Sequence, residues 1–477
     1  MLGTSLSHQN YGIDFNLGVA DTFSLFRFMN MRFADASICD TIGQLLFYTN
    51  GIYIENGNHD SLKNSDNFNP GTATVTWNSV GLQIQQACLI LPFPGSDSLY
   101  YIFHESAEQL PIWDAPFNLS YSIVDMTLDG GLGGIINSKK NIHIIEDTLI
   151  WGRVAACKHA DGRDYWVLTH NYYTDVFYKL LVTPDTIIVN VQTIGLSHDV
   201  LPNYYGQAIF SPDGNKYAIE INDTTIELYN FDRCNGVLSN PITISIADTD
   251  SQGTVFALLG TAFSASSQYL YINNDGNIHQ YDTWGANVLA SGQVVAQWDT
   301  FYAPCCNAAT TFFMLQLAQD NRIYISQSAG TDILHYIEFP DSAGLACHVV
   351  QDSFITPGYN TFTFPNIVNY DLMNDITSPC DTVLSVNDHT SSINYNFISI
   401  FPNPATEYFW VNYSIPLNEK AFLDIYDALG NRVMQSVLYG SSKSLLVHSE
   451  MLNDGIYFYK VVLKNNTYAN GRIVLLK

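Results

Sequence analysis

The fold is decided by a short stretch in the middle of the chain, Ala208-Ile209-Phe210-Ser211-Pro212-Asp213-Gly214-Asn215-Lys216-Tyr217-Ala218-Ile219. The apolar pair before the turn predicts one strand, and the apolar residues after it predict another. Between them, Pro212 presets φ and Gly214 accepts the positive φ that other residues resist. The stretch therefore predicts a strand, a tight turn and a second strand.

Weaker copies of this unit recur along the chain. Each has a turn rich in Asp, Gly, Ser or Asn, followed by an aromatic-rich strand. Those strands are predicted at residues 45–48, 99–102, 165–168, 269–272 and 323–325. The equivalent aromatic residues are Phe47, Tyr101, Trp166, Tyr217, Tyr271 and Tyr324, at intervals of 54, 65, 51, 54 and 53. Short strands repeating at about 40–50 residues, with insertions, indicate the four-stranded blades of a WD-like β-propeller.

A seventh copy is incomplete. Residues 362–368 resemble the first strand of a blade, but no second strand follows them. Strand-like residues 11–15 and 23–28 at the other end of the chain would supply the missing strands. This pairing would close the ring and remove an open sheet edge. We therefore predict an all-β fold in which residues 1–372 form one seven-bladed propeller.

The charge is unevenly distributed. Residues 394–477 carry 7 basic and 6 acidic residues, a net charge of +1, whereas the remainder carries 12 and 39, a net charge of −27. So acidic a propeller should repel nucleic acid and anionic lipid, while cations and neutral sugars remain compatible with it. No apolar stretch is long enough to predict a transmembrane helix.

The eight cysteines form no CxxC pair, which argues against a zinc ribbon. Cys39, Cys88 and Cys157 fall on predicted first strands, so we expect buried free thiols there. A second group lies in loop-like segments, where an exported protein could form one disulfide. That group comprises Cys305, Cys306, Cys347 and Cys380.

Residues 154–182, together with residues 125–133 and 239–242, resemble the propeller of large exported Bacteroidota proteins that are associated with gliding motility and type IX secretion. The resemblance covers nearly all of residues 11–370. Residues 4–10 depart from the aromatic strand that usually opens this propeller. The first residues also lack the basic and apolar regions of a signal peptide. We therefore expect the natural start, with its signal peptide, to be missing or misassigned in this sequence.

A polar linker is predicted at residues 373–393, followed by a small β-sandwich at residues 394–477. The ordered motifs of this last segment closely resemble a type A C-terminal sorting domain of the type IX secretion system. They are Pro402-Asn403-Pro404, Asp427 with Gly430, Gly455 with Tyr457, and the terminal Lys477. The resemblance implies contact with the type IX machinery, export across the outer membrane, and then usually cleavage with surface anchoring or release.

Only weak metal candidates are found. His159 and His170 flank one turn, with Asp161 and Asp164 nearby, and two imidazoles with a carboxylate can hold a divalent metal. The competing interpretation is that these histidines bond to turn backbone. Calcium would be the cofactor if the acidic and amide residues at 222–223 or 273–276 bound a cation, but both segments lack the complete calcium loop and are expected to be hairpin turns.

Catalytic residues are not recognisable. We interpret five aspartates as turn formers rather than acid–base pairs, and Ser211 lacks the G-x-S-x-G context of a nucleophile. The aspartates are Asp14, Asp40, Asp161, Asp213 and Asp320. Two classes of function remain open. One is a secreted propeller that binds a glycan or protein ligand or mediates adhesion, which the absence of converging carboxylates favours, and the other is a secreted hydrolase or lyase acting on polysaccharide.

Overall fold

We analysed a computed structural model of the chain. It describes residues 2, 10–109, 114–197, 205–249, 252–360, 362–375, 378, 380, 398–401, 405–406, 408–413, 415, 420–427, 430–440, 444–449, 452–463 and 466–476. The chain divides into two compact units, Met1–Leu384 and Ser385–Lys477.

The first unit begins with a hairpin and a three-stranded sheet. The hairpin pairs β1 (Asn10–Asp14) with β2 (Asp21–Leu25). The first sheet contains β3 (Ala36–Cys39), β4 (Leu45–Thr49) and β5 (Ile54–Asn56). A short helix, α1 (Thr72–Thr76), lies in the long connection that follows.

The second sheet has five strands in the order β10-β8-β7-β6, with β9 paired to β8. Its strands are β6 (Cys88–Pro92), β7 (Leu99–Gln109), β8 (Asp114–Asp125), β9 (Gly134–Ile135) and β10 (Ile142–Glu146). The glycine-rich segment before β9 contains a single 3-10 turn, Asp129–Gly131, and leads into a strand rather than a helix.

The third, fourth and fifth sheets are regular antiparallel meanders of four strands each. The third contains β11 (Ala155–Lys158), β12 (Tyr165–His170), β13 (Val176–Val182) and β14 (Ile187–Thr193). The fourth contains β15 (Ala208–Phe210), β16 (Lys216–Asn222), β17 (Thr225–Asp232) and β18 (Val237–Ser245). The fifth contains β19 (Leu258–Phe263), β20 (Tyr269–Asn274), β21 (Asn277–Asp282) and β22 (Gln293–Gln297).

A short hairpin precedes the sixth sheet. It pairs β23 (Tyr302–Ala303) with β24 (Ala308–Ala309). The sixth sheet contains β25 (Phe312–Leu317), β26 (Ile323–Gln327), β27 (Thr331–Ile337) and β28 (Val349–Asn360). Innermost strands of successive sheets lie side by side, as in β11 and β15, β15 and β19, and β19 and β25, which is the radial packing of propeller blades.

The repeat that was read from the sequence is confirmed. All six marker aromatics lie on the second strand of a sheet and are buried. In five of the six preceding turns, the residue of positive φ donates the N–H that closes the turn, and in the second sheet that residue, Gly95, comes just before the donor. In the fourth sheet, Gly214 has φ +73° and its N–H donates to Ser211 O over 2.8 Å. The aspartates of these turns accept main-chain N–H groups two residues on, as Asp40 does from Ile42 and Asp320 from Arg322.

The prediction of a seventh first strand at residues 362–368 is wrong, since this segment is extended chain outside any sheet. Its backbone shows no ladder with β1 or β2 in the part of the chain that is described, and Asn366 N–H donates instead to Asp35 O. The β1–β2 hairpin does pack on β28 of the sixth sheet, and Arg27 beyond it lies over Tyr48 of the first. Six sheets and this hairpin are therefore observed, and the count of seven blades stays a prediction.

The second unit has its own core between two sheets. One sheet contains β29 (Ile398–Phe401), β30 (Tyr408–Tyr413) and β33 (Ser444–His448), in the order β29-β30-β33. The other contains β31 (Lys420–Tyr426), β32 (Arg432–Tyr439), β34 (Gly455–Leu463) and β35 (Asn466–Leu475), in the order β32-β31-β34-β35. Phe409 and Val411 of the first sheet share a buried cluster with Leu423 and Ile473 of the second, so the predicted β-sandwich is confirmed.

Candidate functional site

Residues 362–375 run through the middle of the propeller. We call the side where the innermost strands begin the entry face, and the opposite side, which carries the repeated tight turns, the turn face. At the entry face, the side chain of Gln85 donates to Phe362 O over 2.9 Å. Further on, Tyr370 Oη donates to Ile90 O in β6, and at the turn face Asn369 donates to Pro212 O. The segment therefore fills the place where a propeller would keep an open channel.

Asn366 holds the middle of this segment. Its Nδ2 donates to Cys88 O over 3.0 Å and to Val154 O over 2.8 Å, at the start of the second and third sheets. Gln86 Nε2 lies 3.4 Å from its Oδ1, and Gln86 itself bonds to both main-chain groups of Ala208 in the fourth sheet. Asn366 thus joins two blades to the segment directly and a third through Gln86.

A cluster of aromatic rings covers the entry face above it. Phe362 stacks on Phe33 with ring centroids 4.9 Å apart, and Phe313 and Tyr205 pack edge to face 5.4 Å apart. Arg32 lies over the faces of Phe33 and Phe362, at 5.4 Å and 5.7 Å. Apolar rings and a cation–π contact therefore seal this mouth from solvent.

A cluster of buried charged residues lies below these aromatic rings. The sequence analysis did not predict it. Arg153 is 1% exposed and donates to the carbonyls of Trp151 and Tyr205. Glu105 accepts Gly152 N–H over 3.0 Å. A Cβ on Gly206 would fall 2.2 Å from Arg153 Nη2 and 2.7 Å from Glu220 Oε2, so only glycine fits between those two side chains.

Burial raises the pKa values of the carboxyl groups in this part of the propeller. Burial raises the pKa of Glu220 to about 8, although Arg153 acts to lower it. Burial likewise raises the pKa of Glu105 well above its ordinary value, and raises that of Asp35, at the start of β3, to about 6. Similar shifts mark many catalytic acids, but these carboxyls are at most 1% exposed in the structure.

The histidine candidates do not form a metal site. His159 lies at the turn between β11 and β12, whereas His170 lies at the far end of β12, roughly 20 Å away at about 3.3 Å per residue. The two histidines therefore do not flank one turn, and their side chains cannot share a metal ion. Nowhere in the described ranges do three His, Cys, Asp or Glu side chains gather as a metal-binding group.

Each histidine instead bonds to nearby backbone or turn groups. His159 Nε2 lies 2.9 Å from Cys234 O and its Nδ1 lies 3.2 Å from Asp161 Oδ1. Burial acts to lower the pKa of His159, but these partners outweigh it and raise the pKa. His170 Nδ1 lies 2.6 Å from Asn171 O, and burial lowers the pKa of His170 to about 4.

The segments proposed for calcium are hairpin turns, as expected. Asn222 Oδ1 accepts Thr224 N–H between β16 and β17. Asn274 Oδ1 accepts the N–H groups of Gly276 and Asn277 between β20 and β21. The amide oxygens of Asn222 and Asn274 are therefore used within the turns.

The cysteine predictions are partly wrong. Cys88 and Cys157 are buried thiols, but Cys39, the last residue of β3, is exposed. The disulfide joins Cys380 to Cys234, which lies in the turn between β17 and β18 and was not among the candidates. Arg233 Nη2 donates to Met373 O over 2.6 Å, and Asp375 N–H donates to Ala160 O. Met373, Asp375 and Cys380 are thus attached to the propeller, which differs from the predicted start of the linker at residue 373.

An open cleft of about 370 Å³ lies between the fourth and fifth sheets at the turn face. The fourth sheet lines it with Lys216, Asn230 and Asn240, and the loop after β21 supplies residues 285–289. In this loop Trp284, 60% exposed, stands beside the lining residues Thr283 and Gly285. Trp284 thus lies between two lining residues in the chain, while the lining itself provides amide groups for hydrogen bonding.

Both walls of the cleft are held in place. Asn240 has φ +51° and lies, with Pro241, in a bulge of β18 opposite Tyr229. A bulge of this kind changes the direction in which a side chain points. On the other wall, Trp284 N–H donates to Asp282 Oδ1 over 3.0 Å, and Thr283 Oγ1 donates to Ser267 O. No lining residue described in the structure is acidic, although the chain carries a net charge of −26.

The sorting motifs lie in the second unit. Gly430 N–H closes a turn onto Asp427 O between β31 and β32, and Gly430 has φ +83°. Gly455 begins β34, where Tyr457 is buried and donates to Asn453 O. Residues 402–404 and Lys477 lie outside the described residues.

Comparisons with solved structures return β-rich chains of low identity. A protein from Lactobacillus plantarum is 11% identical with a TM-score of 0.39, and covers 88% of this chain and 100% of its own. A putative 6-phosphogluconolactonase from Bacteroides uniformis is 11% identical, with a TM-score of 0.34 and coverages of 69% and 98%. The β-propeller domain of Myceliophteria thermophila Cps50 is 10% identical, with a TM-score of 0.31 and coverages of 75% and 87%. At these TM-scores the likeness carries no argument, and the fold rests on the sheets described above.

The comparison with curated proteins finds no match to this chain. Within the described residues, no helix has the length and apolarity to span a bilayer. Residues 399–475 match the family described as a secretion system C-terminal sorting domain. The chain therefore carries a type IX sorting domain, which implies handling by the secretion machinery and indicates a secreted protein attached to the cell surface.

Proposed function

We propose that this exported propeller binds neutral oligosaccharides at the cleft between the fourth and fifth sheets, without turning them over. The observation that carries the proposal is the exposed Trp284 beside a rigid, amide-lined cleft that has no lining carboxylate. A sugar ring presents an apolar face for stacking and hydroxyl groups for Asn230, Asn240 and Lys216. A prepared site of this kind loses little side-chain entropy on binding.

The absence of access to the buried carboxyls supports binding rather than catalysis. A hydrolase needs an acid and a base within reach of the scissile bond. Glu105 and Glu220 are the carboxyls with the most strongly raised pKa near the entry face, and both lie beneath the ring cluster of Phe33 and Phe362. The open cleft contains no group that would act in this way.

A glycan array of neutral oligosaccharides, followed by calorimetry with the best binder, tests the proposal. We expect Trp284→Ala to weaken binding at least tenfold, about 1.4 kcal/mol, and Asn240→Ala to weaken it by several fold. Phe339→Ala removes another exposed aromatic side chain, on the sixth sheet, and is the matched control. Unchanged affinity in Trp284→Ala, or no binding to any neutral glycan, would contradict the proposal.

One observation favours a second candidate function, a polysaccharide hydrolase. Asp352 in β28 lies near Asp299, and burial followed by this like charge raises the pKa of Asp352 to about 6, although Thr310 acts to lower it. Phe301 and Tyr302, both exposed, stand close to Asp299 in the chain. If this pair is catalytic, the protein should release reducing ends from a polysaccharide, and Asp352→Asn should abolish the release. No turnover by the wild type would reject this candidate.

A further inference from the structure

Two adjacent cysteines stand on the rim of the sixth sheet. Cys305 and Cys306 occupy the loop between β23 and β24, and both are exposed. The N–H groups of Cys306 and Asn307 both donate to Ala303 O, and Asn307 has φ +53°. This is a closed turn whose conformation is defined by its own hydrogen bonds.

The turn brings the two sulfur atoms together. In an extended strand, neighbouring side chains point to opposite faces. Here Cys305 Sγ and Cys306 Sγ lie only 3.0 Å apart. Cys306 Sγ also lies 3.4 Å from Gly330 O, so the loop contacts the chain just before β27. The thiols therefore face each other from a supported position.

Export places this pair where disulfides form. The sorting domain at residues 399–475 indicates a secreted protein, and disulfides persist in such compartments. The same unit already contains the Cys234–Cys380 disulfide. Cys88, Cys157 and Cys347 are buried, so they are unavailable as alternative partners.

We propose that Cys305 and Cys306 close into a vicinal disulfide that opens more readily than Cys234–Cys380. Two S–H bonds break and one S–S bond forms between the Sγ atoms. The two electrons and two protons pass to the disulfide of a dithiol oxidoreductase or of a small-molecule disulfide, which becomes a dithiol. The reaction reverses when a dithiol reductant attacks the exposed bond.

The adjacency of the residues predicts this lability. Consecutive Cα atoms are about 3.8 Å apart, below the roughly 4.4–6.8 Å that suits a disulfide. Such geometry stores strain and makes the bond more reducible, and exposed bonds of this kind are the labile ones.

Mass spectrometry of the full-length chain refolded with a disulfide oxidant tests this site. Two disulfides would take four of the eight cysteines, so alkylation after denaturation should modify four residues rather than six. The peptide containing both Cys305 and Cys306 should be about two mass units lighter than its reduced form. Stepwise addition of dithiothreitol should free this pair at a lower concentration than Cys234 and Cys380.

Two variants complete the test. In Cys305→Ser, Cys306 should become alkylated while the Cys234–Cys380 disulfide stays closed. The control, Cys39→Ser, removes an exposed thiol elsewhere and should leave the Cys305–Cys306 disulfide closed. Full alkylation of both residues in the oxidised wild type, or a covalent dimer through either of them, would overturn the proposal. Simultaneous reduction of both disulfides would overturn the claim of greater lability.

Discussion

Asn366 donates a hydrogen bond to Val154 O over 2.8 Å, although the two residues are 212 positions apart. The bond joins the segment that fills the centre of the propeller to the start of the third sheet. Because Asn366 also bonds to Cys88 O, this one side chain connects the end of the propeller chain to two earlier blades.

Asn366→Ala should therefore destabilise the propeller by about 2–4 kcal/mol, since it leaves two carbonyls and Gln86 with unmet hydrogen bonds in a buried site. Denaturant unfolding of the wild type and the variant measures this difference. Asn369→Ala is the matched control, because Asn369 is exposed in the same segment and donates one bond to Pro212 O. Equal losses in the two variants would show that the buried position has no special role.

Stability should fall as pH rises through the neutral range. Burial raises the pKa of Glu220 to about 8 in the folded chain, so the folded state holds a proton that the unfolded chain releases above about pH 4.3. The free energy of unfolding should therefore decrease between about pH 4.3 and 8, by up to about 1.4 kcal/mol per pH unit for one group.

Glu220→Gln should flatten this dependence, because the amide keeps the shape and carries no titrating proton. Glu146→Gln, at an exposed position of β10, should leave the slope unchanged. Asp35, with its pKa raised to about 6, acts in the same direction and should preserve part of the slope in the variant. An unchanged slope in Glu220→Gln would rule out this carboxyl as its source.

Cys380→Ser should lower the free energy of unfolding by about 2–5 kcal/mol, because the Cys234–Cys380 bond closes a loop of 146 residues. Thermal unfolding with and without reductant measures the effect. The wild type should lose the same amount under reducing conditions, whereas Cys380→Ser should respond little to reductant. Cys39→Ser, an exposed free thiol, should behave as wild type.

Removing residues 385–477 should leave the propeller folded and its ligand binding intact. The chain divides into its two compact units at this boundary, and residues 362–375 in the middle of the propeller are kept. In a host with a type IX system, and with a signal peptide supplied, the truncated chain should remain in the periplasm. The same residues fused to an inert reporter should carry it to the surface. Surface display of the truncated chain would show that export does not depend on this domain, and loss of binding would show that the domain contributes to the ligand site. Either result would contradict its assignment as an export signal alone. Truncation after residue 361 should instead unfold the propeller, because it removes Asn366 and Cys380.

Local chemistry made much of the fold predictable. A turn such as residues 211–214 depends on the φ preferences of four adjacent residues. Marker aromatics such as Tyr217 fall on short apolar strands that are buried at nearly every position. The sorting motifs were readable for the same reason, since Asp427 and Gly430 form one turn. The sequence by itself thus determined the repeat, the all-β class and the export signal.

Only the tertiary structure decided what depends on contacts between distant residues. Residues 362–368 have the composition of a strand, but their backbone finds no ladder and their side chains bond to other blades. Cys234 meets Cys380 because Arg233 and Ala160 hold the chain just before Cys380, and the cleft combines Asn240 with Thr283 across two sheets. The sequence pattern indicates which residues prefer to be buried and which prefer to be exposed. The packing of the blades determines which distant residues come into contact.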